Sequence, residues 1–231
     1  MTIPRPRIAV LPDSTDARLL AELTSHASDL SEASHTLALG FAAGEGSDLW
    51  GPLTSHAVTA YIRPFIHSNV RARLDEMPGI PPVPPALKPV HDTIRTYRNR
   101  TVAHSQSDLA TPLAVAILDA SGRPVDVIGL SITHPMPLVL AEHFSGLISA
   151  MEDVVDQATR PVQDRLRTWL KDETPESISA WKQPESIHAI DSDFTAASKR
   201  THTPRFTTYW RIEHGTADEQ SPDLLFPEPG N

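Results

Sequence analysis

Residues that can bind an anion and transfer a proton are concentrated in the segment 91–104, HDTIRTYRNRTVAH. Arginine stays charged at neutral pH and presents a planar fork that fits two phosphate oxygens. A histidine imidazole titrates near pH ~6.5, so it can accept or donate a proton under the same conditions. We therefore take this segment as the candidate working site.

The same segment has the spacing of an amphipathic helix that ends near His104. Apolar and weakly polar residues recur every three or four positions on one face: Leu87, Val90, Ile94, Tyr97 and Thr101. The other face carries His91, Arg95, Arg98 and Asn99. In a straight helix Arg98 and His104 point roughly 120° apart, whereas Arg100 and His104 share a face. Arg98 and His104 therefore meet only if the helix breaks or if a second copy of the chain supplies one of them.

The charge of the chain is unevenly distributed. Lys and Arg number 20 against 29 Asp and Glu, a net charge of -9, which argues against a general nucleic-acid coat protein. The segment 63–104 has seven basic and three acidic residues, a balance of +4, so the remainder carries -13. This basic segment indicates either a localised anion site or a solvated helix face.

Several other classes of site and location are excluded or disfavoured. The chain has no cysteine, which rules out disulfides and thiolate metal sites. The histidines lack the pairing of a helical zinc hydrolase and no aspartate run suggests calcium, so we expect neither metal nor cofactor. The apolar run 8–11 is too short for a signal-peptide core or a membrane span. We expect a cytoplasmic protein with no membrane partner.

The periodicity predicts a mainly α fold of about four long helices with one inserted β-hairpin. Residues 1–13 form an irregular lead-in, and 14–170 form the helical domain. The predicted helices are 14–43, 53–74 with Pro64 splitting it, a third ending near 104, and 138–170 with Pro161 as an expected interruption. Strands 112–118 and 125–133 form the hairpin, within about 112–133, and should lie on the helices because two strands alone are marginally stable. Residues 171–231 form a mostly extended or disordered tail.

A helical bundle in which Arg98-Asn99 is followed, after four residues, by His104 resembles the HEPN superfamily (higher eukaryotes and prokaryotes nucleotide-binding). Its members are helical bundles with an Arg, four to six residues, then a His, often with a polar residue directly after the Arg. The resemblance covers roughly 14–170, but its specific part is seven residues long. It implies metal-independent RNA cleavage at a homodimer interface, in toxin, phage-defence or RNA-processing settings.

The resemblance also implies roles for individual residues. Arg98 would bind the phosphate, His104 would act as base or acid, and Asn99 would orient one of them. The substrate-positioning residues would be His91, Arg95 and Arg100. Two copies related by a two-fold axis would supply the base from one chain and the acid from the other.

Three alternatives remain open. In the first, Arg98 and Arg100 pair with carboxylates such as Asp108 while His104 caps the helix C-terminus. In the second, the protein is a non-catalytic dimeric module that binds RNA, a nucleotide or a protein. In the third, residues 206–212, FTTYWRI, bind a protein partner such as an antitoxin through the C-terminal tail.

Overall fold

The computed structural model describes residues 8–68, 71–104 and 108–182, together with the backbone of 185–187 and 205–207. The chain divides into two compact units. One is Arg18–Arg165, and the other combines Met1–Ala17 with Leu166–Asn231. The candidate site lies wholly in the first unit.

The described part of the chain is mainly α-helical with an inserted hairpin, which confirms the predicted fold class. The helices are α1 Thr15–Ala43, α2 Trp50–Ile62, α3 Lys88–Tyr97, α4 Leu138–Leu170 and α5 Pro175–Ser179. Strands β1 Ala110–Leu118 and β2 Pro124–Thr133 pair antiparallel, and β3 Glu185–Ile187 pairs parallel with β4 Arg205–Thr207. Among these helices, none combines the length and apolar character that crossing a membrane requires.

Helix α1 begins and ends as its sequence predicts. The Ser14 hydroxyl accepts a hydrogen bond from the Ala17 backbone at 3.1 Å, which satisfies a free N–H of the first turn. The buried stripe is Leu23, His26, Leu30, Ala33, Thr36, Leu37 and Gly40. The spacing in the sequence predicts an inward stripe of Leu23, Ala27, Leu30, Ser34, Leu37 and Phe41, but Ala27 is exposed and Ser34 is half-buried. The predicted and the observed stripes share Leu23, Leu30 and Leu37, which are seven residues apart. The sequence therefore identified the correct face of α1, but the other predicted positions lie one residue too far along the chain.

Helix α2 is at the centre of the core. Its Tyr61 is fully buried, and the ring lies 5.3 Å from Phe65 and 5.2 Å from Phe144 of α4. At the other end of α2, the Trp50 indole donates a hydrogen bond of 2.7 Å to the Met136 carbonyl just before α4. The Trp50 ring also packs 5.9 Å from Phe41 of α1. Helix α2 thereby fixes the positions of both longer helices.

Helix α2 ends at Ile62, so the predicted break at Pro64 is confirmed, but the second helical piece predicted up to residue 74 is wrong. Pro64 lies in a 3-10 turn, Arg63–Phe65, and the next 3-10 turn is Leu74–Glu76. Proline provides no N–H for an α-helical hydrogen bond and its ring clashes with the preceding turn. Phe65 and Leu74, which the helical spacing of the predicted second helix places inward, are nevertheless buried. The apolar pattern therefore identified the core residues but not the backbone conformation.

An ion-pair network holds the segment after α2 against α1. Arg63 pairs with Asp29 at 3.3 Å and with Glu32 at 2.6 Å. Arg71 pairs with Asp29 and donates to the Ser25 hydroxyl at 2.6 Å. Burial raises the pKa of Glu32, but hydrogen bonds from Arg63 and His56 outweigh it and leave that pKa below its ordinary value. The ion pairs therefore stabilise the packing of this segment against α1.

The hairpin departs from the prediction in how it packs. Its strands match the predicted positions, and Asp119 stabilises the turn by accepting hydrogen bonds from the backbone of Ser121 and Arg123. All ten residues of β2 are exposed, as are most of β1. The prediction that the hairpin lies on the helices is therefore wrong.

Helix α4 runs from Leu138 to Leu170, the predicted bounds, without a break at Pro161. In the second unit, the rings of Trp169 and Trp181 stack 5.5 Å apart. The Thr174 hydroxyl caps the short α5, within a region predicted to be extended. Of the predicted partner-binding segment 206–212, only the backbone of 206 and 207 is described, so that prediction lies mostly outside the described residues.

We expect Arg71→Ala to lower the free energy of unfolding by roughly 1.5–3 kcal/mol, since it removes the closer of the two cations that pair with a largely buried carboxylate and leaves only the longer contact from Arg63. The Arg71 side chain is 10% exposed and that of Asp29 13%. Urea denaturation measures the change. Arg160→Ala, which breaks an exposed pair on α4, is the matched control and should cost about 0.5 kcal/mol or less. Equal losses would contradict the structural role of Arg71.

His26 should make the protein sensitive to acid. The side chain is fully buried, and neither ring nitrogen has a hydrogen-bond partner within the described chain; the Ala72 backbone lies close but outside bonding geometry. Burial, and then the charge of Arg71, lower the pKa of His26 to about 4. The unfolded chain, with a histidine pKa near ~6.5, therefore binds a proton that the folded chain excludes.

Stability should accordingly be complete above about pH 6.5 and be lost as the pH falls toward 4, by roughly 3 kcal/mol from this residue. His26→Leu should remove that loss, while His35→Leu, an exposed site on the same helix, should not. Urea denaturation at pH 7 and pH 5 measures the effect. A parent protein whose stability is the same at both values would contradict it.

Candidate functional site

Helix α3 presents the candidate site, and its last turn has unusual geometry. The helix follows a 3-10 turn at Pro85–Leu87 and passes at Tyr97 into a π turn, Arg98–Val102. The Ala103 N–H donates to the Arg98 carbonyl at 2.9 Å, an i to i+5 hydrogen bond. Short π segments are rare and often occur at functional sites. The Arg-Asn pair of the motif thus begins the π turn, and the histidine follows its end.

His91 anchors α3 to the core. It is 6% exposed, its Nδ1 is hydrogen-bonded to the Tyr61 hydroxyl at 2.8 Å, and its ring packs edge-on 4.8 Å from Phe65. Burial lowers the pKa of His91, so the imidazole is held neutral. The residue predicted to position substrate therefore lies inside the protein, where it sets the orientation of α3.

The other cationic side chains of the motif face solvent. Arg95, Arg100 and His104 are exposed, and Arg98 is half-buried. In the described part of the chain, none of the four forms an ion pair with a carboxylate, and neither Arg98 nor Arg100 reaches Asp108. These residues form what we call the cationic turn: Arg95, Arg98, Arg100 and His104.

The remaining basic residues of the segment 63–104 are all neutralised. Arg63, Arg71, Arg73 and Lys88 each pair with an aspartate or glutamate. The excess positive charge seen in the sequence is therefore not spread along the segment. It is confined to the end of α3, where a polyanion can reach it.

Asn99 interacts with the arginine before it. Its Oδ1 accepts a hydrogen bond of 3.1 Å from Arg98 Nη1, which restrains the guanidinium at the surface. Among the described residues, no hydrogen bond joins Arg98 or Asn99 to His104. The structure therefore places Arg98 and Asn99 at the start of the π turn and His104 just after its end, and of the three only Arg98 and Asn99 are hydrogen-bonded to each other in the described chain.

A cleft of about 470 Å³ opens beside the cationic turn. Its lining comes from one face of α3, from the root of the hairpin and from the start of α4: Asp92, Thr93, Thr96, Tyr97, Arg100, Thr101, Leu109 and Leu140. The volume lies within the range of small-molecule sites. Arg100 is shared by the cleft and the cationic turn, so an anionic group bound by Arg100 would lie at the edge of the cleft.

The cleft is not acidic although Asp92 lines it. Lys88 Nζ lies 2.9 Å from Asp92 Oδ2, and this hydrogen bond lowers the pKa of the carboxyl group. On the opposite side, burial raises the pKa of Tyr97, partly offset by a hydrogen bond with Ser55. Arg100 is thus the cleft's uncompensated charge among the lining residues.

No group of three or more His, Asp or Glu side chains within the described residues is arranged to hold a metal ion. Comparison of the chain with family models, curated proteins and solved structures gave no match. The fold and site therefore define a mainly α protein with an exposed, uncompensated cationic turn beside a small cleft. The resemblance to HEPN proteins depends on Arg98, Asn99 and His104 together with the helical architecture.

The sequence did not predict the cleft. Tyr97 and Thr101 were placed on the inward face of α3, and both are indeed half-buried. Leu109 and Leu140 are distant in sequence and carry no motif, so only the tertiary structure brings them to α3.

We expect Tyr61→Phe to lower the free energy of unfolding by roughly 1–3 kcal/mol, because it leaves the buried Nδ1 of His91 without a partner. Tyr97→Phe is the comparison, because that ring is half-buried and should cost less. Thermal and urea unfolding of both variants measure the difference. If Tyr61→Phe is as stable as the parent, the hydrogen bond does not hold α3.

Proposed function

We propose that the protein is a metal-independent endoribonuclease of HEPN type, with a site completed by a second copy of the chain. The observation that carries the proposal is the cationic turn, where three arginines and a histidine have no carboxylate partner in the described chain. Exposed guanidinium groups without counter-charges bind phosphate readily. The adjacent histidine adds the proton-transfer group that cleavage needs.

The chemistry requires three functions at one phosphodiester. A base removes the proton of the 2'-hydroxyl, whose oxygen then bonds to phosphorus. Arg98 stabilises the charge that develops on the phosphate oxygens. An acid protonates the departing 5'-oxygen as its bond to phosphorus breaks. The products are a 2',3'-cyclic phosphate and a free 5'-hydroxyl, with no net change in protons.

A single cationic turn offers one histidine for two proton transfers. His104 is exposed and does not contact Arg98. If two copies present their cationic turns to one RNA, His104 of one copy acts as the base and the same residue of the other acts as the acid. Arg98, restrained by Asn99, then holds the phosphate between them.

The cleft would hold the nucleotide next to the cleaved bond. Leu109 and Leu140 provide apolar surface for a base, and Arg100 lies where the attached phosphate would be. Arg95, exposed one turn earlier on α3, would contact the neighbouring backbone. We place this activity in the cytoplasm, in a toxin or phage-defence role, with an antitoxin or other protein engaging the C-terminal tail.

A second function is favoured by one observation. In the described chain no side chain orients the His104 imidazole, whereas catalytic histidines are commonly fixed by a hydrogen bond. The same cationic turn would then bind RNA or a nucleotide without cleaving it, as a dimeric binding module.

The decisive experiment incubates a pool of single-stranded and structured RNA with the protein in EDTA. We expect the parent to cleave, and both His104→Ala and Arg98→Ala to lose roughly 100-fold or more of the rate, which is the usual contribution of acid–base catalysis for the histidine and of charge stabilisation for the arginine. His35→Ala and Arg160→Ala, exposed residues on α1 and α4, are matched controls and should cleave like the parent.

Equal activity in all five proteins would indicate contamination and reject the nuclease. RNA binding that the Arg98 variant weakens, without cleavage by any protein, would establish the binding module instead. Neither binding nor cleavage by the dimeric parent would reject both functions.

A further inference from the structure

The hairpin has two different faces. Residues paired across the ladder lie on the same face, and the register pairs Leu113 with Leu130, and Val115 with Ile128. One face, which we call the aliphatic face, therefore carries Leu113, Val115, Ile117, Ile128, Leu130 and Ile132, with Thr111 at its root and Asp126 near its turn. The other carries mostly small residues: Pro112, Ala114, Ala116, Val127, Gly129 and Ser131.

The aliphatic face is exposed within the described chain. Five of its six aliphatic side chains expose 39–44% of their surface, and Val115 is half-buried. A two-stranded hairpin is marginally stable in water, and contiguous exposed apolar surface usually marks a binding site. A face with strict alternation of aliphatic residues, left without cover, indicates that another surface packs on it.

We propose that the aliphatic face packs against the same face of a second copy of the chain. The face carries no charge apart from Asp126 near the turn, which lies opposite Ile117. Its partner must therefore be apolar. The aliphatic face of a second copy meets this condition and also matches the face in width and length, because a two-fold interface is made of one patch that is complementary to itself.

The area of the face decides how the two copies are arranged. At about 100 Å² for each fully exposed aliphatic side chain, the face offers roughly 250 Å² per copy, or about 500 Å² for a pair. A specific interface buries roughly 1,200 Å² or more in total. The hairpins alone are insufficient, so surfaces next to them must also come together.

Those surfaces lie at the root of the hairpin. The root is closed by the His134 N–H, which donates to the Leu109 carbonyl at 2.8 Å. Leu109 also lines the cleft, and β1 begins six residues after His104. Two hairpins packed face to face can point in the same direction or in opposite directions. Only the first brings both roots together; in the second each root meets the other copy's turn, about 30 Å away.

We therefore place the two-fold axis along the length of the hairpin. This arrangement adds the root surfaces to the interface and brings the two cationic turns to the same side of the dimer. The choice of axis deepens the proposed function, which needs both turns at one RNA. It also predicts that repulsion between the turns is relieved when a phosphate backbone lies between them.

The chain has no cysteine, so single introduced cysteines can test the arrangement without background. Packed sheets lie ~10 Å apart, beyond the reach of a disulfide, and a short bismaleimide is the suitable reagent. We expect Ile132→Cys, near the root, and Ile117→Cys, near the turn, each to give cross-linked dimer with itself. Ser131→Cys, beside Ile132 on the opposite face, is the control and should give none.

Two results would overturn the proposal. If the Ile117 and Ile132 variants cross-link only to each other in a mixture, the hairpins point in opposite directions. If no variant cross-links and the parent sediments as a monomer at tens of micromolar, no second copy occupies the face. If the protein is such a monomer and the reagent reacts poorly with the Ile132→Cys thiol, another segment of the same chain covers the aliphatic face.

A charged substitution provides an independent measurement on the full chain. Leu130→Lys should raise the dimer dissociation constant at least roughly tenfold, because it buries an unpaired charge. Ser131→Lys, on the opposite face, should leave the constant unchanged. Equal effects would overturn the proposal. Neither the cross-linking nor the dissociation constant depends on RNA cleavage. A hairpin dimer without nuclease activity would therefore reject only the proposed function. Cleavage by a protein that lacks this dimer would reject only the interface.

Discussion

The burial of Tyr61 is the interaction on which the rest of the first unit depends. Its ring contacts Phe65 and Phe144, and its hydroxyl is hydrogen-bonded to His91. One side chain of α2 therefore fixes both α3 and α4. Because His91 and Ile94 turn inward, the opposite face of α3, with Asp92, Thr93 and Thr96, turns outward. Arg95 lies one turn after His91 and is nevertheless exposed.

Charge in the basic segment is separated by position along the chain. The earlier arginines neutralise Asp29 and Glu32 and so stabilise the path of the chain between α2 and α3. The later ones, from Arg95 to Arg100, have no such partner in the described chain and carry the local positive potential. An overall acidic protein can therefore present a cationic site, since potential near a surface depends on nearby charges within about a Debye length.

The hairpin and the cationic turn are connected. Leu109 ends the segment that follows the turn and begins the hairpin, and it also lines the cleft. A protein surface packed on the aliphatic face would restrain the hairpin root and, through it, one wall of the cleft. Assembly and ligand binding are expected to influence each other for this reason, with no rearrangement of the helical core.

The sequence by itself determined the mainly α class, the bounds of α1, α4 and the hairpin, and the concentration of Arg, Asn and His at the end of α3. These depend on local periodicity, capping and turn residues, which act over a few positions. The end of α2 at Ile62, the inward position of His91, the cleft and the exposure of the hairpin depended on the tertiary structure. The position of His91 and the cleft depend on contacts between residues far apart in the chain, such as Tyr61 with His91. The exposure of the hairpin depends on the lack of such contacts to its faces within the described chain. Periodicity shows that a face is apolar, but only the fold shows what covers it.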